Sequence, residues 1–221
     1  MSFDRLVVVD WSARSKPSSK APAKDAIYIC HSINFEIQNT EYFRTRRAAL
    51  RFIEKLIENS LYHRERIFIG FDFAFGYPVG FSKNVTFSSN PFSIWEFLNQ
   101  AVTDGEDNSN NRFEVAQALN SKFDGLGPFW GCPQNLYLEG LPQKGTDRFS
   151  HGVSEFRLCE KYARSAHSVW KLFTTGAVGS QSLTGIPYLQ KLREKFNKKL
   201  CVWPFDQEFN SAQIVLGEVY P

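Results

Sequence analysis
Residues Arg66 to Pro78 read RIFIGFDFAFGYP, and the fold turns on them. Ile67, Phe68 and Ile69 form a continuous apolar run rather than an alternating one. Strands covered on both faces read this way, and they belong mostly to parallel sheets in α/β proteins. Asp72 closes the run between Phe71 and Phe73, and the chain then breaks into the turn-rich Ala74-Phe75-Gly76-Tyr77-Pro78. Open α/β sheets place their ligand chemistry at the carboxyl ends of such strands. Asp72 therefore has two readings, a functional acid or a cap for the following turn. An acid among phenylalanines is costly to bury unless something cationic meets it.

Upstream, Leu6-Val7-Val8-Val9 repeats the pattern and ends in Asp10-Trp11-Ser12. Adjacent parallel strands would bring the two carboxylates together. Residues 13–24 are rich in Ser, Pro and Lys, which suits an exposed loop, either simply solvated or touching phosphates through its lysines. Ala26 to Cys30 and Phe35 to Ile37, with Tyr42 and Phe43 further on, read as the second and third strands of an antiparallel meander. Thr45 is a suitable N-cap for a helix whose apolar stripe is Ala49, Phe52, Ile53, Leu56 and Ile57. Arg46, Arg47, Arg51, Glu54 and Lys55 then form its solvated outer face.

Between Phe81 and Ser150 the regular pattern thins. Ser93 and Glu96 fit a capping box that opens a short helix through about Val102. Asp104 to Asn111 reads as a flexible polar loop. A weak helix covers Asn111 to about Asn120, and an aromatic, irregular tract follows around Phe129 and Trp130. The chain thus reads as one domain over 1–221 with an insertion at about 81–150, either a lid over the strand ends or a packed structural excursion. Ser154 to Ala166, with Glu155, Arg157, Glu160, Lys161 and Arg164, is a charged helical stretch. Thr174 to Ser182 is a small-residue loop before a helix starting near Thr184, with Pro187 in its first turn. A glycine loop at a helix N-terminus can bind phosphate, although this one matches neither G-x-x-x-x-G-K-[ST] nor G-x-G-x-x-G. Leu200 to Pro204 is a fifth strand ending in Phe205-Asp206, and Ile214 to Tyr220 a sixth that carries Glu218.

Composition sets bounds on these readings. Hydrophobic residues make up 43% and charged residues 22%, so a packed core is expected. A net charge of +3 permits a nucleic-acid partner without requiring one, and favours short substrates over long duplexes. Cys30, Cys132, Cys159 and Cys201 are far apart, with no CxxC pair and no zinc spacing to His31, His63, His151 or His167. They read as reduced thiols of a cytoplasmic protein. No stretch resembles a signal peptide or approaches a membrane span.

Asp10, Asp72 and Glu218 each sit in or at the end of an expected core strand. Three carboxylates drawn together repel, and persist only where cations neutralise them. Hard oxygen ligands of this type suit Mg²⁺ or Mn²⁺, which can activate water for phosphodiester cleavage. The expected catalytic and metal-ligating set is therefore Asp10, Asp72 and Glu218.

Val9-Asp10-Trp11-Ser12, Phe71 to Pro78, Gly176 to Gln181 with Thr184 to Pro187, Val202 to Asp206 and Gly217 to Pro221 together carry a resemblance. With the strand order, they resemble the ribonuclease H-like nuclease families of the DUF429 type. The resemblance implies a mixed sheet made of a three-strand meander, a helix and parallel strands. It also implies a metal-dependent nuclease or phosphodiesterase acting on nucleic acid or a nucleotide. In that pattern the first-strand acid matches Asp10 and the fourth-strand acid matches Asp72. The acid of the first helix has no clear counterpart, Glu54 and Glu58 matching only by location. The late acid of a closing helix would be replaced by Glu218 or Asp206. Trp11, Ser12, Arg157, Ser180 and Gln181 are the candidate substrate-binding residues, with Lys161 and Lys171 as further balancing charges. Trp11, Phe75 and Tyr77 would either stack on a base or belong to the core. Two other functions stay open: a phosphoryl-transfer or small-molecule enzyme of related fold using the 174–182 loop, and a non-catalytic binding module.

Overall fold
The computed structural model describes residues 2–162 and 166–219. Its centre is a mixed sheet of seven strands: β1 (Arg5–Asp10), β2 (Ile27–Ile33), β3 (Glu36–Ile37), β4 (Glu41–Phe43), β5 (Ile67–Phe71), β6 (Leu200–Trp203) and β7 (Ile214–Glu218). The order is β3-β2-β1-β5-β7-β6, with β4 also pairing β2. β1 runs antiparallel to β2 and parallel to β5, β5 is parallel to β7, and β7 to β6. The apolar runs at Leu6–Val9 and Ile67–Ile69 are therefore neighbouring parallel strands, in the register Val7↔Ile69 and Val9↔Phe71. The protein is an α/β fold on a mixed sheet.

One face of the sheet is sealed. Val7, Val9, Ile67, Ile69, Phe71, Ile214 and Leu216 alternate onto it and are buried. Helix α1 (Arg46–Tyr62) packs against this layer, with Phe52 against the rings of Phe43 and His31. Thr45 caps it by accepting the Ala48 N–H at 3.3 Å. The opposite face is covered only in part, unlike the two-sided cover that the continuous apolar runs predict. Near the strand starts, Phe3, Phe68 and Phe209 pack on Cys201, Ala212 and Val215, with the Arg66 guanidinium 4.3 Å from the Phe3 ring centre. Toward the strand ends this cover stops, leaving Val8 52% and Trp203 47% exposed.

Residues 1–73, 104–109 and 188–221 form one compact unit that includes the whole sheet. Residues 74–103 and 110–187 form a second, which takes in the expected insertion at about 81–150 except for residues 104–109, part of the first. The second unit holds α2 (Phe81–Thr86), α3 (Pro91–Ala101) and α4 (Arg112–Asn120). Its core is aromatic: Trp170 meets Tyr77, Phe81 and Phe129 at 5.0–5.4 Å between ring centres. The Asn120 amide ties the irregular tract down, donating to the Phe129 and Gly140 carbonyls and accepting the Phe129 N–H.

Three local expectations change. Helix α3 starts at Pro91 rather than at a Ser93–Glu96 capping box, because Asn90 accepts the Phe92 N–H at 2.9 Å and Pro91 fits the first helical position. Helix α5 (Val178–Phe196) begins six residues before Thr184, so Pro187 lies inside it. The burial of Leu183, Ile186, Tyr188, Leu189 and Leu192 outweighs the missing backbone donor. Gly179 is needed there because a Cβ would stand 2.3 Å from the Val169 carbonyl oxygen. Among its described residues the 154–166 stretch has only a 3₁₀ turn, Cys159–Tyr162. Its charges pair locally instead, Arg157 Nε meeting Glu160 Oε1 at 2.9 Å, and no apolar stripe offers a helix a face to bury. Arg164 lies outside the described residues, as do Tyr220 and Pro221.

Candidate functional site
Parallel register puts Asp10 beside Asp72. Val9 pairs with Phe71, and the Asp72 N–H continues the ladder to the Val9 carbonyl at 3.2 Å. Since side chains alternate, Val9 and Phe71 face the sealed layer and the two following acids face the open side. There the carboxyls are close enough to share a hydrogen bond. Asp72 also accepts the Trp11 N–H on Oδ1 at 2.8 Å.

Burial pushes the Asp72 carboxyl up to about 7, with the Asp10 charge adding to the rise and the Trp11 N–H opposing it. Asp10, the more exposed of the two, is also raised. Burial leads again, the bond from Asp72 lowers it, and the Asp25 charge raises it further. Two carboxyls this close disfavour double ionisation, so at neutral pH one proton is partly retained between them. A divalent cation would neutralise the same repulsion.

Glu218 belongs to the neighbouring strand but not to the pair. It registers with Phe71, and residues in register on parallel strands point to the same face. That face is the sealed one, opposite to Asp72. The residue on Asp72's side is Val219, just past the end of β7, one methyl of which lies 2.5 Å from where a Cβ on Gly70 would be. Accordingly, no group of three or more His, Cys, Asp or Glu is placed to hold a metal among the described residues. The two acids of the pair still fit Mg²⁺ or Mn²⁺, which commonly take one or two carboxylates and complete their shell with water and phosphate oxygens.

Trp11 and Ser12 flank the pair in roles set by the protein itself. The Trp11 ring is buried against Tyr188, Phe73 and Phe71, at 5.2, 6.0 and 6.2 Å between ring centres. The Ser12 hydroxyl donates to the Asp25 carbonyl at 2.6 Å. Phe75 and Tyr77, the other rings considered for base stacking, belong to the second unit, where Phe75 packs on Trp95 and Tyr77 stacks on Trp170. The remaining substrate-binding candidates lie in that unit too. Arg157 pairs with buried Glu160. The Ser180 hydroxyl is buried, donates to the Leu172 carbonyl at 2.6 Å and accepts from Arg112 Nε at 2.9 Å. Gln181 is half-buried in the first turn of α5. The small residues after Gly176 are thus mostly helix rather than an open phosphate loop.

Sequence reasoning missed the polar group behind the pair. Arg46, expected on a solvated surface, is fully buried with Asp104, at 2.6 and 2.7 Å from its two carboxylate oxygens. The 104–109 segment, expected as a flexible loop, is held in the first unit by this contact and by buried Asn108, which accepts the Arg46 N–H at 2.9 Å. Acids in a polar tract are a weak signal for burial; a positive partner 58 residues away is not visible in a linear sequence. Asp25, just before β2, is a further group the sequence did not single out, and its charge bears on Asp10.

No family model, no curated protein and no solved structure matches this chain. Among the described residues no helix is long and apolar enough to cross a membrane.

Proposed function
We propose that the chain is a metal-dependent phosphodiesterase or nuclease of the ribonuclease H-like kind, with Asp10 and Asp72 as its metal ligands. The observation that carries this reading is the pair itself: two carboxyls at the ends of adjacent parallel strands, in hydrogen-bond contact on the open face. The sheet agrees with the fold reading, because an antiparallel β1-β2-β3/β4 meander is followed by parallel strands beside β1. The late acid of the pattern is not supplied by Glu218, so the proposed metal set narrows from three carboxylates to two.

Mg²⁺ or Mn²⁺ bound to this pair would supply a polarised water and charge neutralisation at a phosphate. The chain's own residues do the rest. Trp11 N–H holds one oxygen of Asp72 and so fixes the carboxyl plane. Asp10, more exposed, gives the pair its access to solvent and to a nucleotide or short nucleic acid. Withdrawal of the retained proton frees both carboxylates for a cation, which predicts stronger metal binding above neutral pH.

The retained proton also favours a second reading, a metal-free hydrolase in which one carboxyl acts as general acid and the other as general base. Hydrolysis of bis(p-nitrophenyl) phosphate separates the two. The metal reading expects turnover that needs Mg²⁺ or Mn²⁺ and falls at least 100-fold in Asp10→Asn and in Asp72→Asn. Turnover unaffected by chelator would favour the acid–base reading, and wild-type turnover retained by both variants would sink both.

A further inference from the structure
We propose that Arg46, with Asp104 and Tyr188, is the positioning device of the Asp10–Asp72 site, acting through the turn from Trp11 to Arg14. The proposal rests on the carboxyl-pair reading above and adds residues to it.

Residues 11–14 follow β1 without regular structure, so no strand or helix ladder orients them. Arg46 supplies what is missing. Its Nη1 donates to the Ser12 and Arg14 carbonyls at 2.9 and 2.8 Å. Nη2 donates to Asp104 Oδ1 and to the Asn108 carbonyl, at 2.7 and 2.9 Å, and Nε donates to Asp104 Oδ2. A guanidinium carries five N–H donors in a fixed fork, and every one is used here. The second connection to the turn is through a ring. The Tyr188 hydroxyl donates to Asp104 Oδ2 at 2.9 Å, while its ring packs on the Trp11 indole at 5.2 Å. The turn is thus held by its carbonyls and by its tryptophan ring, both anchored on Asp104. What leaves the turn toward the site is the Trp11 N–H, aimed at Asp72 Oδ1.

Stability alone is a poor reason for such a group, because a buried ion pair is often no better than apolar residues of the same volume. Fixed geometry is the better reason. Lys in place of Arg46 keeps the charge but has no fork, so it cannot hold Asp104 and two turn carbonyls together.

The same unit contains its own control. At the opposite end of β1, Arg5 is also buried and paired, with Nη2 3.1 Å from Glu65 Oε2 and 3.2 Å from Asn59 Oδ1, and it touches nothing in the 11–14 turn. The experiment compares Arg46→Lys, Tyr188→Phe and Arg5→Lys in the full chain. Mn²⁺ affinity is read by calorimetry, and backbone amide exchange is read in metal-free protein. Arg46→Lys is expected to weaken Mn²⁺ binding at least tenfold, as loss of groups that orient a metal ligand usually does. Tyr188→Phe is expected to weaken it about threefold, and Arg5→Lys to leave it unchanged at equal loss of thermal stability. In Arg46→Lys, and to a lesser degree in Tyr188→Phe, the amides of Trp11 to Arg14 are expected to exchange at least tenfold faster while those of Val7 and Val9 change little. A uniform rise across strand and turn, in both variants, would overturn the proposal and leave Arg46 a purely structural pair. So would wild-type Mn²⁺ affinity in a folded Arg46→Lys. Failure of wild type itself to bind Mn²⁺ would refute the metal reading, and the metal-free exchange pattern would still decide the positioning role.

Discussion
Two carboxylates of the sheet-bearing unit, both partly buried, are met in opposite ways. Asp104 receives a bidentate guanidinium and a tyrosine hydroxyl, with Arg46 satisfied at every donor. Asp72 is met by backbone N–H groups, that of Trp11 among them, and by a second carboxyl. The first arrangement is closed: it has nothing left to offer a ligand. The second keeps a repulsion that a proton relieves in the free protein and that a cation would relieve better. Polar groups that a fold needs for its own geometry are usually fully satisfied, whereas groups held for chemistry keep an unsettled charge.

The contrast breaks most visibly at Arg46. Arg46→Met leaves Asp104 buried opposite an apolar side chain, with an expected loss of about 3–5 kcal/mol in urea unfolding. Adding Asp104→Leu to that variant should recover most of the loss, because the uncompensated charge is gone.

The next effect has the opposite sign. Folding raises the Asp72 carboxyl to about 7 from an ordinary value near 4, so the folded state binds a proton more tightly than the unfolded chain. The pair therefore lends most stability at low pH, and that contribution falls as pH rises from about 4 to about 7. Above this window Asp72 is an ionised, buried group and opposes folding. Asp72→Asn keeps an acceptor for the Trp11 N–H and a donor for Asp10. It should stabilise the metal-free protein by about 2 kcal/mol at pH 8 and by almost nothing at pH 4, measured by urea unfolding at both values. A stability loss at pH 8 would contradict the unsettled charge assigned to the pair.

Tyr188→Phe removes one hydroxyl from the closed site and should cost about 1.5 kcal/mol in the same assay, the scale of a hydrogen bond to a charged group. The smallest effect is expected at Glu218. Its side chain shares the face of Phe71, so Glu218→Gln should leave Mn²⁺ affinity within about twofold of wild type.

The strands and their terminal acids were legible in the sequence for a simple reason. Continuous apolar runs mark sheet-centre strands, and Asp10 and Asp72 close two of them. Their convergence needed only that the runs be parallel neighbours, which the β1–β5 pairing provides. Glu218 shows the limit of such reasoning. It too closes an apolar run beside β5, yet a shift of one residue in register moves a side chain to the other face, and register is not written locally. Arg46 shows a different limit. Placed after Thr45 at a helix start and followed by Arg47, it has the local signature of a solvated terminus. Its burial depends on Asp104 and Asn108, 58 and 62 residues further along the chain. The start of α5 misled for the same reason: helix length there follows from packing that composition does not express.

The central claim is that Asp10 and Asp72 together form a cation site. Its most direct test is Mn²⁺ titration calorimetry at pH 8 on wild type, Asp10→Asn and Asp72→Asn, each shown folded by its unfolding transition. The account predicts one saturable site in wild type that is lost in both variants, with Asp72→Asn at least as stable as wild type. No binding in wild type, or binding that survives both substitutions, would contradict it.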